Sequence, residues 1–213
     1  MDITAFIMAG GRAARMRMQT EKPLLKIELK TMLECVIDAL QNSSEVDRII
    51  VAVSNRTPMT AQKAVELGVE VMVTPGDGFV EDMQYAIKKS NAGEALVVCA
   101  DLPFLTSKLV DTVVEEFRQS HKPSLAVVVP LEVADKLGIK PTNVIDIGRK
   151  LIPVGLNVID GQRIEEPELD QSLFIVDSDA LAFNVNTPQE LHLAREKAIS
   201  GRLSSHEQKT SLN

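Results

Sequence analysis

Aromatic side chains make up only 3% of the 213 residues, which leaves few rings to stack on a large ligand and points to aliphatic contact instead. Histidine is scarce too: His121, His192 and His206 fall in helical or tail segments without motif company, so no nucleophile and base pair stands out. The two cysteines, Cys35 and Cys99, sit inside apolar periodic segments and read as small buried hydrophobes, suggesting neither a disulfide nor a metal site. No apolar run approaches the ~20 residues needed to span a bilayer. The opening run ITAFIMA is preceded by Asp2 where a signal sequence would carry a basic region, so a cytoplasmic protein is expected. Positive charge is also in deficit. A net charge of −7 offers no basic face for nucleic acid or an anionic membrane, so the few local arginines serve a smaller anion.

What is present is a chain with 45% hydrophobic residues, enough for one compact domain. The reading places that domain at residues 1–200 and treats residues 201–213, polar and aperiodic, as a disordered tail. Apolar runs rich in β-branched residues recur at Ile3 to Met8, Ile49 to Val53, Val69 to Val73, Ala95 to Cys99 and Leu125 to Val129. Each predicts a strand buried on both faces. Between them lie helical stripes: Met32, Val36, Ile37 and Leu40; then Val80, Met83, Ala86 and Ile87; then the segment SKLVDTVVEEF. This alternation predicts an α/β fold, a mostly parallel sheet with helices on both faces. From Asn143 to Gly161 the pattern changes to two strands around a turn at Gly148-Arg149, an antiparallel insertion whose apolar surface could meet a second subunit or a bulky ligand. The alternation returns with LAFNVN, read as the last strand, and with a helix capped by Thr187 and carrying Pro188 at its first position.

In an open parallel sheet, ligands bind beyond the carboxyl ends of the strands. Gly10 and Gly11 follow the first strand, Gly76 and Gly78 the third, and Asp101 the fourth. Adjacent glycines let backbone N–H groups approach an anion, although a plain tight turn uses them as well. Arg12 and Arg15 would add charge-assisted hydrogen bonds to phosphate oxygens. The spacing in GGRAARM matches neither the dinucleotide fingerprint nor the Walker pattern. Lys22, set by Pro23, can reach the same crevice or remain an ordinary surface lysine. In TPGDGFVEDM the two glycines could embrace a base or ribose, while Asp77, Glu81 and Asp82 either accept ligand hydrogen bonds or complement a helix dipole. Asp101 ends a buried strand, where a carboxylate caps a turn or receives a hard cation such as Mg²⁺, with Asn186 as a second oxygen donor. A phosphate nucleophile is ionised near neutral pH and needs no protein base, which fits the scarcity of histidine.

With those residues in place, Gly10, Gly11, Arg15, Met16, Lys22 and Pro23 resemble the signature of the nucleotidyltransferases of the sugar-nucleotide and molybdenum-cofactor type. TPGDGFVEDM and IPVGLNVID resemble most the archaeal-type GTP:adenosylcobinamide-phosphate guanylyltransferases, over roughly residues 1 to 200. The resemblance implies a single Rossmann-like nucleotidyltransferase domain that joins GMP from GTP to adenosylcobinamide phosphate, releasing pyrophosphate in cobalamin biosynthesis; a homodimer is one assembly that the apolar surface from Asn143 to Gly161 would allow. It implies catalytic roles for Arg15, Lys22 and Asp101. Ala9, Gly10, Gly11, Arg12, Arg15 and Lys22 would hold the triphosphate, and Pro75, Gly76, Gly78, Glu81 and Asp82 the guanosine. Gly155 and Asn157 would lie near the second substrate or the nucleotide, and Asp101 with Asn186 would hold Mg²⁺. Ala13 stands where the superfamily loop usually carries a further glycine. Other phosphorylated acceptors (molybdopterin, phospholactate or a sugar phosphate) are the related alternatives. A non-catalytic GTP-binding subunit is another, against which the joint presence of Arg15, Lys22 and Asp101 speaks.

Overall fold

Each β-branched run folds as a strand in the computed structural model, which describes residues 2–11, 16, 20–201 and 209–212. In chain order the elements begin with β1 (Ile3–Met8), a short hairpin of β2 (Lys26–Ile27) and β3 (Lys30–Thr31), α1 (Met32–Gln41), β4 (Val46–Val53) and α2 (Pro58–Glu66). There follow β5 (Glu70–Val73), α3 (Phe79–Ser90), β6 (Glu94–Cys99), α4 (Ser107–Ser120), β7 (Ser124–Pro130) and α5 (Leu131–Lys136). The last third holds β8 (Ile145–Asp146), β9 (Lys150–Asp160), β10 (Gln171–Val176), α6 (Asp179–Ala182), α7 (Pro188–Ser200) and β11 (Lys209–Leu212).

α1, α4 and α7 start where an N-cap side chain satisfies an unpaired amide of the first turn. Thr31 and Glu34 close a capping box on α1, and Thr187 and Glu190 do the same on α7, with Pro188 at its first position as expected. The predicted stripe Met32, Val36, Ile37 and Leu40 is the buried face of α1.

The sheet runs β11-β10-β7-β9-β6-β1-β4-β5, with β8 paired beside β9. β1 is parallel to β4 and β6, β4 to β5, and β7 to β10. Helices cover both faces: the larger core gathers residues of α1, α4, α5, α6 and α7, while the smaller lies under α3 around Phe6, Ile50, Val97 and Ile87.

The antiparallel hairpin expected from Asn143 to Gly161 is present as β8 and β9, and β9 lies antiparallel between β6 and β7 within the sheet. Its alternating Ile152, Val154, Leu156 and Val158 are spent in the larger core, so the expected apolar contact surface shrinks to Val144 and Ile147 near its start. LAFNVN is not a strand. Leu181 and Ala182 end the short α6 and pack into the core, and the neighbouring parallel strand is QSLFIV, β10. Finally, Lys209–Leu212, in the segment expected to lack structure, adds antiparallel to the edge presented by β10, whose backbone groups it pairs.

Candidate active site

A cleft of about 570 Å³ opens beyond the carboxyl ends of β1, β4 and β6, where a parallel sheet splays its loops. It is lined by Met8 to Gly11 after β1, Lys22 and Pro23, Ala52 and Arg56, Thr74 and Gly76 to Phe79, Asp82, Cys99 to Asp101, and Asn186. The structure therefore brings together the expected Ala9, Gly10, Gly11, Lys22, Gly76, Gly78, Asp82, Asp101 and Asn186 from segments far apart in sequence. Pro75 and Glu81 are exposed at its edge. Arg12 and Arg15, with Ala13, lie outside the described residues.

Lys22 sits at the centre. It opens a short 3₁₀ turn, Lys22–Leu24, whose Pro23 is buried and fixes the backbone. Its ammonium donates to Asp101 Oδ2 and, at 2.8 Å, to Asn186 Oδ1. The Lys22 and Asp101 side chains are only 15% and 14% exposed, so the pair is stronger than a solvated ion pair. Asp101 Oδ1 is buried and has no hydrogen-bond partner among the described residues. A buried carboxylate oxygen without a donor suits a hard cation. No cluster of three or more His, Cys, Asp or Glu exists among the described residues. A divalent ion on Asp101 would therefore complete its shell with phosphate oxygens and water, as Mg²⁺ prefers.

Asn186 reaches the site because Val185 N–H donates to Asp101 O at 3.1 Å, tying this irregular segment to the loop after β6. Asn186 Nδ2 donates to Asn184 Oδ1 at 2.7 Å, and Asn184 Nδ2 donates to Val154 O of β9 at 3.1 Å. Asn186 N–H donates to Glu190, the same carboxylate that caps α7. Asn184 escaped the sequence reading, although the period-two spacing of the asparagines in FNVN signals a shared side.

The loops around the cleft are cross-braced. Gly10 lies so close to Ser54 that a Cβ would sit 3.1 Å from the Ser54 nitrogen, and Ser54 Oγ donates to Gly10 O at 2.8 Å. No atom of the described residues lies within 4 Å of where a Gly11 Cβ would be. Gly76, at φ 81°, donates its N–H to the buried Asp82 at 2.8 Å, while its carbonyl accepts from Arg56 Nη1 at 2.8 Å. Asp82 thus shapes the loop around Gly76. Ser54 and Arg56 were not singled out from sequence, because SNRT reads only as turn chemistry.

Gly155 and Asn157 are outside the cleft lining but beside it. Asn157 pairs with Val97 on β6, and a Cβ on Gly155, at φ 78°, would collide with Cys99 Sγ. The register also slips here: Ala126 faces Asn157, yet Val128 faces Pro153. Burial and the nearby Asp101 carboxylate push the Cys99 thiol up, away from the reactive thiolate form. His121 caps the C-terminus of α4, His192 lies exposed on α7, and His206 is outside the described residues. Among the described residues no helix is long and apolar enough to cross a membrane.

A family model described as MobA-like NTP transferase domain matches residues 5–152. The probable molybdenum cofactor guanylyltransferase of Thermococcus kodakarensis is 29% identical over 118 residues, 55% of this chain and 55% of that protein. The chain thus spans about half the length of that curated relative. The protein of the same name from Natranaerobius thermophilus is 23% identical over 201 residues, 92% of this chain and 96% of its own. Among solved structures, a CMP:2-keto-3-deoxy-manno-octonic acid synthetase complexed with CTP superposes with a TM-score of 0.72 over 94% of this chain and 98% of its own. At 17% identity it shows a common fold.

Proposed function

The chain belongs to the family of MobA-like NTP transferase domains, and from that premise we propose that it transfers the guanylyl group of GTP to adenosylcobinamide phosphate, releasing pyrophosphate. The observation that carries nucleotidyl transfer is the buried cluster of Lys22, Asp101 and Asn186 on the cleft floor, with Asp101 Oδ1 lacking a donor.

In this reading the backbone amides at Gly10 and Gly11 hold the triphosphate, with Arg12 and Arg15 adding charge. The loop from Thr74 to Asp82, held by Arg56 and Asp82, surrounds the nucleoside. An oxygen of the acceptor phosphate bonds to the α-phosphorus. The bond from that phosphorus to the bridging oxygen breaks, and its electron pair leaves with pyrophosphate. Lys22 neutralises charge that develops on the transferred group. Asp101, with Asn186 nearby, would hold Mg²⁺, which would supply Lewis-acid neutralisation of the phosphates. No protein base is required, in keeping with His121 and His192, which do not line the cleft.

The acceptor side rests on IPVGLNVID. The family match ends at residue 152, just before Pro153, Gly155 and Asn157, which alternate half-buried on the α3 side of β9 next to Cys99. That strip gives a bulky acceptor an approach from the centre of the sheet. A second reading, transfer to molybdopterin, is favoured by the names of the relatives. The test is calorimetric titration with GTP, ATP and CTP in Mg²⁺, followed by each acceptor with pyrophosphate readout. GTP-selective binding and turnover with the corrinoid alone supports the proposal; turnover with molybdopterin instead replaces it.

A further inference from the structure

The excursion that leaves β1 at Gly10 returns at Glu21, and both ends are fastened to one short segment, Ser54 to Thr60. Ser54 Oγ donates to Gly10 O at one end. At the other, Glu21 accepts from the N–H groups of Met59 at 2.9 Å and Thr60 at 2.7 Å, and from the Thr60 hydroxyl at 2.6 Å.

Those two amides belong to the first turn of α2, which begins at Pro58. The N-cap residue, Thr57, makes no side-chain bond to them. Its hydroxyl is turned back to Ser54, accepting from Ser54 N–H at 3.1 Å. A helix whose local cap is diverted leaves amides that need another acceptor. Glu21, 39 residues before Thr60, supplies it with both carboxylate oxygens.

Glu21 immediately precedes Lys22. Its carbonyl accepts from Leu24 N–H at 2.9 Å, closing the turn in which Lys22 sits. Lysine is a long side chain with much rotamer freedom to lose, so holding its ammonium on Asp101 and Asn186 depends on a fixed Cα. Buried Pro23 fixes one side of that Cα. We infer that Glu21 is a positioning residue for Lys22, and that its capping of α2 sets the Lys22 backbone and the exit of the phosphate loop as one unit. The inference rests on the reading of Lys22 as the residue that meets the phosphates.

Glu21→Ala and Glu21→Gln are compared with Ala61→Gly, which weakens α2 without touching the carboxylate. Side-chain ¹H–¹⁵N spectra report the protected Lys22 ammonium, assigned by its loss in Lys22→Arg. Glu21→Ala should lose that signal and lower kcat by about tenfold or more, with KM for GTP within about threefold. Glu21→Gln, which keeps one acceptor oxygen, should fall between. Ala61→Gly should keep signal and kcat. Retention of both in Glu21→Ala, or an equal loss of both in Ala61→Gly at matched melting temperature, overturns the inference. The spectra need no substrate, so they decide this point even if the wild-type protein transfers nothing to the corrinoid.

Discussion

Lys22 and Asp101 depend on each other in two ways, one chemical and one energetic. Each is largely buried, and each compensates the other's charge. Lys22→Ala should lower kcat by about 10²–10³-fold, the usual loss when a preorganised transition-state donor is removed, and steady-state kinetics of pyrophosphate release would measure it. Asp101→Asn keeps the side-chain shape but removes the anionic oxygens. Mg²⁺ with GTP should raise the melting temperature of the wild-type protein and raise that of Asp101→Asn much less; equal shifts would remove Asp101 from the metal site. At this scale the residues legible in sequence were those standing just past a strand or next to a glycine or proline: Gly10, Gly11, Lys22, Gly76 and Asp101. Ser54, Arg56 and Asn184 were not, because their roles come from hydrogen bonds to residues 20 or more positions away. Nothing in their local sequence encodes those partners.

Elements carry their own predictions. In α1, burial pushes Glu34 up, but hydrogen bonds from Lys63, the Thr31 amide and the Thr31 hydroxyl outweigh it and hold the carboxyl down at about 2. An unfolded glutamate titrates near ~4.3. The stabilisation is therefore complete above that value and is lost as pH falls through about 4 to 2, and it amounts to roughly 2–3 kcal/mol. Chemical denaturation of Glu34→Gln should show a flatter stability profile across that window than the wild type. In β9, Gly155→Ala meets a left-handed backbone and Cys99 Sγ together. It should cost about 2–4 kcal/mol from the two effects, and Gly155→Ala with Cys99→Ala should recover the part due to collision. Element types followed from periodicity wherever burial was one-sided or complete, as in β1, β6, α1 and α4. LAFNVN failed because its apolar residues serve the core from a short helix and irregular backbone. QSLFIV was passed over because only its second half is fully buried.

Across the whole molecule, the sheet has two parallel groups, β1, β4, β5 and β6 on one side and β7 and β10 on the other, joined by the antiparallel β9. The first group builds the cleft. β9 brings Gly155 and Asn157 to its border; the resemblance named those two residues, but the strand order that carries them there was not legible, since it depends on pairing across the whole chain. With most of the apolar face of that segment buried, the exposed surface that sequence suggested for an association is reduced to Val144 and Ile147. The measurement that bears most directly on the account is a label-transfer experiment with Mg²⁺ and adenosylcobinamide phosphate, using GTP labelled at either the α- or the γ-phosphorus. The α-label is expected in the corrinoid product and the γ-label in pyrophosphate, with both signals suppressed in Lys22→Ala. The γ-label in inorganic phosphate, or α-label that never leaves the free nucleotide pool, would contradict the proposed transfer.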